Sequence, residues 1–167
     1  MPIPKSEHDL AALFEQLGAS DPRGLAHSQA TEGIPQLHRF LFLKHAWARL
    51  INERDHTWIQ REIDGAARSP DAPYAGLGKA LGRALSAGLS NTDLTEIARC
   101  LQGQALFAVA CTLDGPEDLP PGLEDLDWGL FQIGKNGKPF GPQISALHES
   151  VLQTEPAGRE MRPRSDA

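Results

Sequence analysis

Cysteine is scarce in this chain: it occurs twice in 167 residues, at Cys100 and Cys111. The two stand on what reads as one helix, where their eleven-residue separation corresponds to a rise of about 16 Å. A disulfide tolerates no more than about 7 Å between Cα atoms. The sequence therefore predicts two free, buried thiols in a reducing compartment. Neither has Cys-x-x-Cys spacing, and Arg99, adjacent to Cys100, points elsewhere on a helix, so a reactive thiolate is not expected. Long hydrophobic runs are missing as well. Apolar stretches end after a few residues, far short of the ~20 that span a bilayer. The opening Met1-Pro2-Ile3-Pro4-Lys5 has no apolar signal segment. These two absences predict a cytoplasmic protein without a membrane partner. Positive charge is also in deficit: 16 Lys and Arg stand against 22 Asp and Glu, a net charge of −6. A general binder of phosphate backbones needs a basic face, so nucleic acid is not expected as a partner. No repeat at solenoid periods is visible.

What the chain does have is hydrophobic periodicity. Ser6 with Asp9 is a capping pair ahead of Leu10, Leu13, Phe14 and Leu17, and Gly18 closes that helix. Ser20 or Asp21 caps a second, more polar helix that has Pro22 at its first position and runs to Glu32. From Pro35, the stripe of Leu37, Phe40, Leu41, Lys44, Trp47, Leu50 and Ile51 predicts a third. Trp58, Ile59 and Ile63 predict a fourth, ending near Arg68, before the loop Ser69-Pro70-Asp71-Ala72-Pro73. Residues 75–87 read as a small-residue helix, in which Gly76, Ala80 and Ala84 form a stripe open to close helix approach. After Ser90-Asn91-Thr92-Asp93 a long helix runs to about Leu113, becoming apolar toward its end and so expected to be central.

The character then changes. Trp128 to Ile133 is rich in strand formers, and Asn136-Gly137 is a two-residue hairpin signal that would set Ile133 opposite Phe140. Pro139 and Pro142 confine the second strand to an edge. Residues 144–152 read as a short helix, and the remainder has almost no large apolar residues. The expected architecture is mainly α: a bundle of about six helices with one C-terminal β-hairpin and an extended tail. A single domain would cover residues 1–152, hairpin 128–142 included, with 153–167 as an extended or disordered tail.

Candidate chemistry is thin. His38 and His45 are two turns apart on one helix face, and Glu53 with His56 makes one Glu-x-x-His pair. Di-iron bundles use two such pairs with two more glutamates, so His38, His45, Glu53 and His56 form only an alternative metal set beside surface or core-edge histidines. Gly76-Leu77-Gly78-Lys79 fits neither phosphate-loop template. Leu147-His148-Glu149-Ser150 contains the letters of a hydrolase triad, but adjacent residues on a helix do not face one another, and no Gly-x-Ser-x-Gly elbow exists. No catalytic residue and no cofactor is assigned.

Contact surface is the better-supported reading. Lys135 and Lys138 flank the hairpin tip of an acidic protein, where lysines also serve to blunt strand edges. Trp128 and Phe131 could line a groove or merely cover a core. His148, Glu149, Arg159 and Glu160 sit in polar runs outside the helical core. The partner is expected to be another protein or a second copy of this chain. A structural homodimer through the Gly76/Ala80/Ala84 stripe is a further alternative.

The C-terminal third carries a resemblance. Trp128-Gly129-Leu130-Phe131, the Asn-Gly hairpin, Leu147-His148-Glu149-Ser150-Val151-Leu152 and Gly158-Arg159-Glu160-Met161-Arg162-Pro163 together resemble a small bacterial family of uncharacterised proteins. The resemblance implies a bacterial, cytoplasmic origin and draws attention to His148, Glu149, Arg159 and Glu160. It implies no activity.

Overall fold

The computed structural model of the chain describes residues 3–116 and 119–163. Among them are seven α-helices: α1 Glu7–Gln16, α2 Pro22–His27, α3 Gln36–Trp47, α4 Thr57–Arg68, α5 Ala75–Ser86, α6 Asn91–Asp114 and α7 Leu147–Ser150. A π-helical turn, Ser28–Glu32, extends α2, and strands β1 Leu130–Ile133 and β2 Pro139–Ile144 form one antiparallel hairpin. The protein is thus a mainly helical bundle with a C-terminal hairpin and a tail. None of its described helices is long and apolar enough to cross a membrane. The chain divides into two compact units: residues up to Trp47 with those from Ala105 onward, and Ala48–Gln104.

In the first unit, Ser6 caps α1 by accepting the Asp9 N–H at 3.1 Å, and its hydroxyl donates to the Asp9 carboxylate at 2.7 Å. Asp21 caps α2 by accepting the Gly24 N–H at 2.9 Å. Leu10, Phe14, Ala26, Leu37 and Phe40 form the core that these helices share. Each fully buried large side chain there contributes roughly 1.5–3 kcal/mol. Phe14 and Phe40 meet edge to face, with centroids 5.8 Å apart. A second anchorage joins α3 to the C-terminal segment: Trp47 Nε1–H donates to the Val151 carbonyl at 2.9 Å, among buried Leu43, Leu147 and Val151.

The buried stripe of α3 is Gln36, Leu37, Arg39, Phe40, Leu43 and Trp47, not the face running through Lys44 to Ile51. Lys44 is exposed, and its ammonium donates to the Leu17 carbonyl. The helix stops at Trp47, and Ile51 is held in the second unit. Its N–H donates to Gln102 Oε1 at 2.9 Å, and its carbonyl accepts from Arg99. Those side chains satisfy backbone groups that a longer helix would have paired internally.

In the second unit, α4 and α5 are joined by the predicted proline loop and pack around Trp58, Ile59, Leu81 and Leu94. The close approach is made by Gly78 instead of the Gly76/Ala80/Ala84 stripe. A Cβ on Gly78 would lie 2.1 Å from the Glu62 carbonyl oxygen and 2.7 Å from the Ala66 Cβ. Gly76 and Ala80 face solvent. Ser90 starts α6 with a reciprocal box: the Asp93 N–H donates to Ser90 Oγ at 3.1 Å, and the Ser90 N–H donates back to the Asp93 carboxylate at 3.2 Å. Helix α6 is less central than its composition implies, since Ile97, Leu101, Phe107 and Val109 are exposed. Both cysteines are free and only half-buried.

The hairpin register differs from the expected one by a residue. Ile133 stands opposite Pro139, and Gln132 opposite Phe140. Asn136-Gly137 closes a three-residue loop in place of a two-residue one: the Gly137 N–H donates to the Gly134 carbonyl at 2.9 Å, with Gly137 at φ +75°. That is a type I turn followed by a left-handed residue, the usual three-residue hairpin. Two further β2 residues, Gly141 and Pro142, are accommodated by a bulge where the partners of Phe131 and Gln132 jump from Gln143 to Phe140.

Candidate functional site

Two arrangements of chemistry-bearing residues stand out, both within the first unit. One is built where the end of α6 meets the start of α7. Asp114, the last residue of α6, turns its carboxylate onto the next helix and accepts the Leu147 N–H at 2.9 Å and the His148 N–H at 3.1 Å. The His148 ring completes the clasp, with Nδ1 at 2.6 Å from Asp114 Oδ2. Phe107, one α6 residue whose ring reaches over, stands edge-on to the imidazole at 6.0 Å. Burial pushes the Asp114 carboxyl up. The hydrogen bonds from Leu147, the His148 ring and the His148 amide, with the charge of protonated His148, outweigh it and hold the group below its ordinary value.

Arg39 enters from α3. It is 7 % exposed, and its Nε has no hydrogen-bond partner among the described residues. Burial pushes its guanidinium down from the ordinary value, and the negative charges of Glu149 and Asp114 push it back up. It stays protonated, as guanidinium does in proteins. Beside it, Gln36 donates through Nε2 to Ser28 Oγ at 3.0 Å, and Ser28 spends its own proton on Glu32 at 2.7 Å. The direction of the Ser28 bond fixes the Gln36 amide, which leaves Oε1 as a buried acceptor without a partner among the described residues. Gln36, Arg39, Phe40, Ser150 and Thr154 line a cavity of about 10 Å³, room for one water molecule.

This cluster has the orienting half of an acid–base pair, an imidazole steered by a carboxylate, but it is built as a clasp. All the bonds of Asp114 go to α7, and Ser150, the nearest hydroxyl in sequence, faces the small cavity and not the imidazole partner.

The second arrangement is the hairpin. Trp128 is fastened to the end of α6, its Nε1–H donating to the Thr112 carbonyl at 2.6 Å. On β1, Leu130 and Gln132 face inward with Ile144, which is buried. Phe131 and Ile133 face out, and Ile133 is 60 % exposed. Phe140, 62 % exposed, stands at the far end, beyond the reach of the core. An open concavity runs along this end, lined by Gln132, Ile133, Lys135, Asn136, Pro139 and Phe140. Lys135 and Lys138 are both exposed at the tip.

The other residues singled out from sequence, Glu149 excepted, take no part in either arrangement. His38 is half-buried and His45 exposed on α3, whereas Glu53 and His56 belong to the second unit. The His56 ring is hydrogen-bonded through Nδ1 to Thr95 Oγ1 at 2.9 Å, and Trp58 Nε1–H donates to the same buried oxygen at 3.2 Å. Among the described residues, no group of three or more His, Cys, Asp or Glu is arranged to hold a metal ion. Arg159 and Glu160 serve the tail. The Arg159 N–H donates to the carboxylate of buried Glu155 at 3.0 Å, and Glu160 pairs with Arg162 at 2.6 Å. Glu149 is exposed on α7 and contributes its charge to Arg39.

Sequence reading found His148 and Glu149 but missed Arg39 and Asp114. Both carried a signal. A carboxylate in the last turn of a helix opposes the macrodipole, so Asp114 needed an outside partner. An arginine between Leu37 and Phe40 lies on an apolar face, where an unpaired charge is costly.

No family model matches the sequence, and neither a curated protein nor a solved structure shows significant similarity to it.

Proposed function

We propose that this is a non-enzymatic interaction protein of the bacterial cytoplasm whose contact surface is the C-terminal hairpin. The observation that carries the reading is the outward display of Phe131 and Ile133 on one face of the hairpin, with Phe140 exposed on the other face near the two tip lysines. Large apolar side chains left in water on a short, anchored hairpin add nothing to the interior, and grouped exposed apolar residues mark contact sites. The anchorage supports it too: Trp128 and the buried Ile144, which pairs with Leu130, both fasten the base of the hairpin, so its free end is presented in a set orientation. Arg159 and Glu160 are not part of the proposed surface, because they are engaged within the tail.

The test is site-specific photo-crosslinking in producing cells, with the reactive residue placed at Ile133 or Phe140 and, as a control, at exposed Arg68. A discrete crosslinked product from the hairpin positions alone supports the reading. Equal or absent crosslinking at all three positions ends it.

A further inference from the structure

We propose that the open edge of β1 seats a second copy of this chain, pairing antiparallel through Phe131 and Ile133 to extend the hairpin into a four-stranded sheet. The inference rests on the reading of the hairpin as the contact surface and adds to it the identity of the partner.

The choice of edge follows from backbone donors. Pro139 and Pro142 remove two N–H groups from β2, and its bulge breaks the spacing of those that remain. Strand β1 has no proline and no second partner strand among the described residues. The Gly134 N–H donates inward to the Lys138 carbonyl at 2.9 Å. Antiparallel ladders alternate from residue to residue, so Gln132 shares that inward side and the amides and carbonyls of Phe131 and Ile133 point out. A two-stranded ribbon is marginal in water, and additional strands stabilise it.

The choice of partner follows from self-complementarity. About a two-fold axis through Gln132, Phe131 of each copy falls opposite Ile133 of the other. That register pairs outward-facing backbone groups with outward-facing ones and joins the two exposed apolar side chains on one face. Strand β1 itself is uncharged. It is preceded by Glu124, Asp125 and Asp127 and followed by Lys135 and Lys138, all exposed. Antiparallel self-pairing lays the acidic lead-in of one copy along the basic tip of the other, whereas parallel pairing would set like charges together. Four residues of edge with their flanks make a small interface, so association is weak, in the class of roughly 10 µM to 1 mM.

Sedimentation velocity across about 5 µM to 1 mM tests this at low and high salt. The expected mass rises from 18.1 kDa toward twice that value, less so at high salt. Two exposed charge-reversal pairs, K135E/K138E and D125K/D127K, leave the far-ultraviolet circular dichroism unchanged. Each weakens self-association at least tenfold, and an equimolar mixture of the two restores the dimer. A wild-type chain that stays monomeric at 1 mM overturns the proposal, as does a dimer indifferent to both charge sets or a mixture that fails to associate. Crosslinking from Ile133 to a different protein by a strictly monomeric chain would end this inference while leaving the interaction reading intact.

Discussion

Gly78→Ala is the substitution whose outcome the packing decides most sharply. In an exposed helix interior the change from glycine to alanine gains about 1 kcal/mol, because glycine loses more backbone freedom on folding. Gly78 lies against α4, where the added Cβ would stand 2.1 Å from the Glu62 carbonyl oxygen and 2.7 Å from both the Glu62 carbonyl carbon and the Ala66 Cβ. Carbon and oxygen normally keep more than 3 Å apart, so α4 and α5 must separate by about an ångström. A carbonyl oxygen within a helix cannot rotate aside as a flexible side chain can. Separation thins the contacts of Trp58, Ile59 and Leu81 across the same pair of helices. Overpacking of this kind costs typically 1–3 kcal/mol, and with backbone the obstacle the upper part of that range applies. After the propensity gain, the net loss is about 1–2 kcal/mol. Gly82→Ala on the same helix is the internal control, since a Cβ there would meet nothing within 4 Å, and it gains up to about 1 kcal/mol. Urea unfolding followed by tryptophan fluorescence and circular dichroism gives both numbers. If Gly78→Ala proves as stable as Gly82→Ala, the close approach of α4 and α5 is wrong.

The clasp at Asp114 gives two more expectations. Asp114→Ala removes the acceptor of three hydrogen bonds to α7 and is expected to cost about 2–3 kcal/mol in urea unfolding. The folded-state carboxyl titrates below its unfolded value, so its contribution is complete above the unfolded pKa and is lost as pH falls through the folded one. Thermal unfolding of Asp114→Asn should therefore show a shallower loss of stability on the acid limb than the wild type, and an identical slope would contradict the clasp. Trp47→Phe keeps an aromatic ring among Leu43 and Leu147 but forfeits the buried bond to Val151. The expected cost is about 1 kcal/mol, because Thr154 Oγ1–H still serves that carbonyl at 3.1 Å. Ile133→Asp should leave stability within about 0.5 kcal/mol of wild type, as befits a side chain outside the core.

Much of the fold was legible from capping and periodicity. Ser6, the Ser20-Asp21 pair and Ser90 mark helix starts within a residue because side-chain caps act locally and leave a local sequence trace, and of the pair it is Asp21 that caps. The hairpin was legible through Asn136-Gly137, but its register was not. A single Asn-Gly pair fits both a two-residue loop and the last two positions of a three-residue one, and the bulge at Gly141-Pro142 decides between them only once the strands are paired. The buried face of α3 was only partly placed, for a tertiary reason: Leu37, Phe40 and Trp47 are common to both, but Arg39 and Leu43 are buried where Leu41 and Lys44 were expected. Arg39 is tolerated inside because Asp114 and Glu149 arrive from far along the chain to balance it. The same long-range meeting assembles Asp114 with His148, 34 residues apart, and no local pattern announces it. The outward position of Phe131 and Ile133 was implicit in strand alternation, once Ile144 fixed which side is the interior.

Amide hydrogen exchange at Ile133, followed by NMR at several protein concentrations, reads the state of the open edge itself. The backbone N–H of this residue points away from β2, so it exchanges freely in the monomer and is covered only when the edge is occupied. Self-pairing through β1 predicts protection that grows with concentration and vanishes in K135E/K138E. Exchange at Ile133 that is rapid at every concentration, or protected equally at all of them, would contradict it.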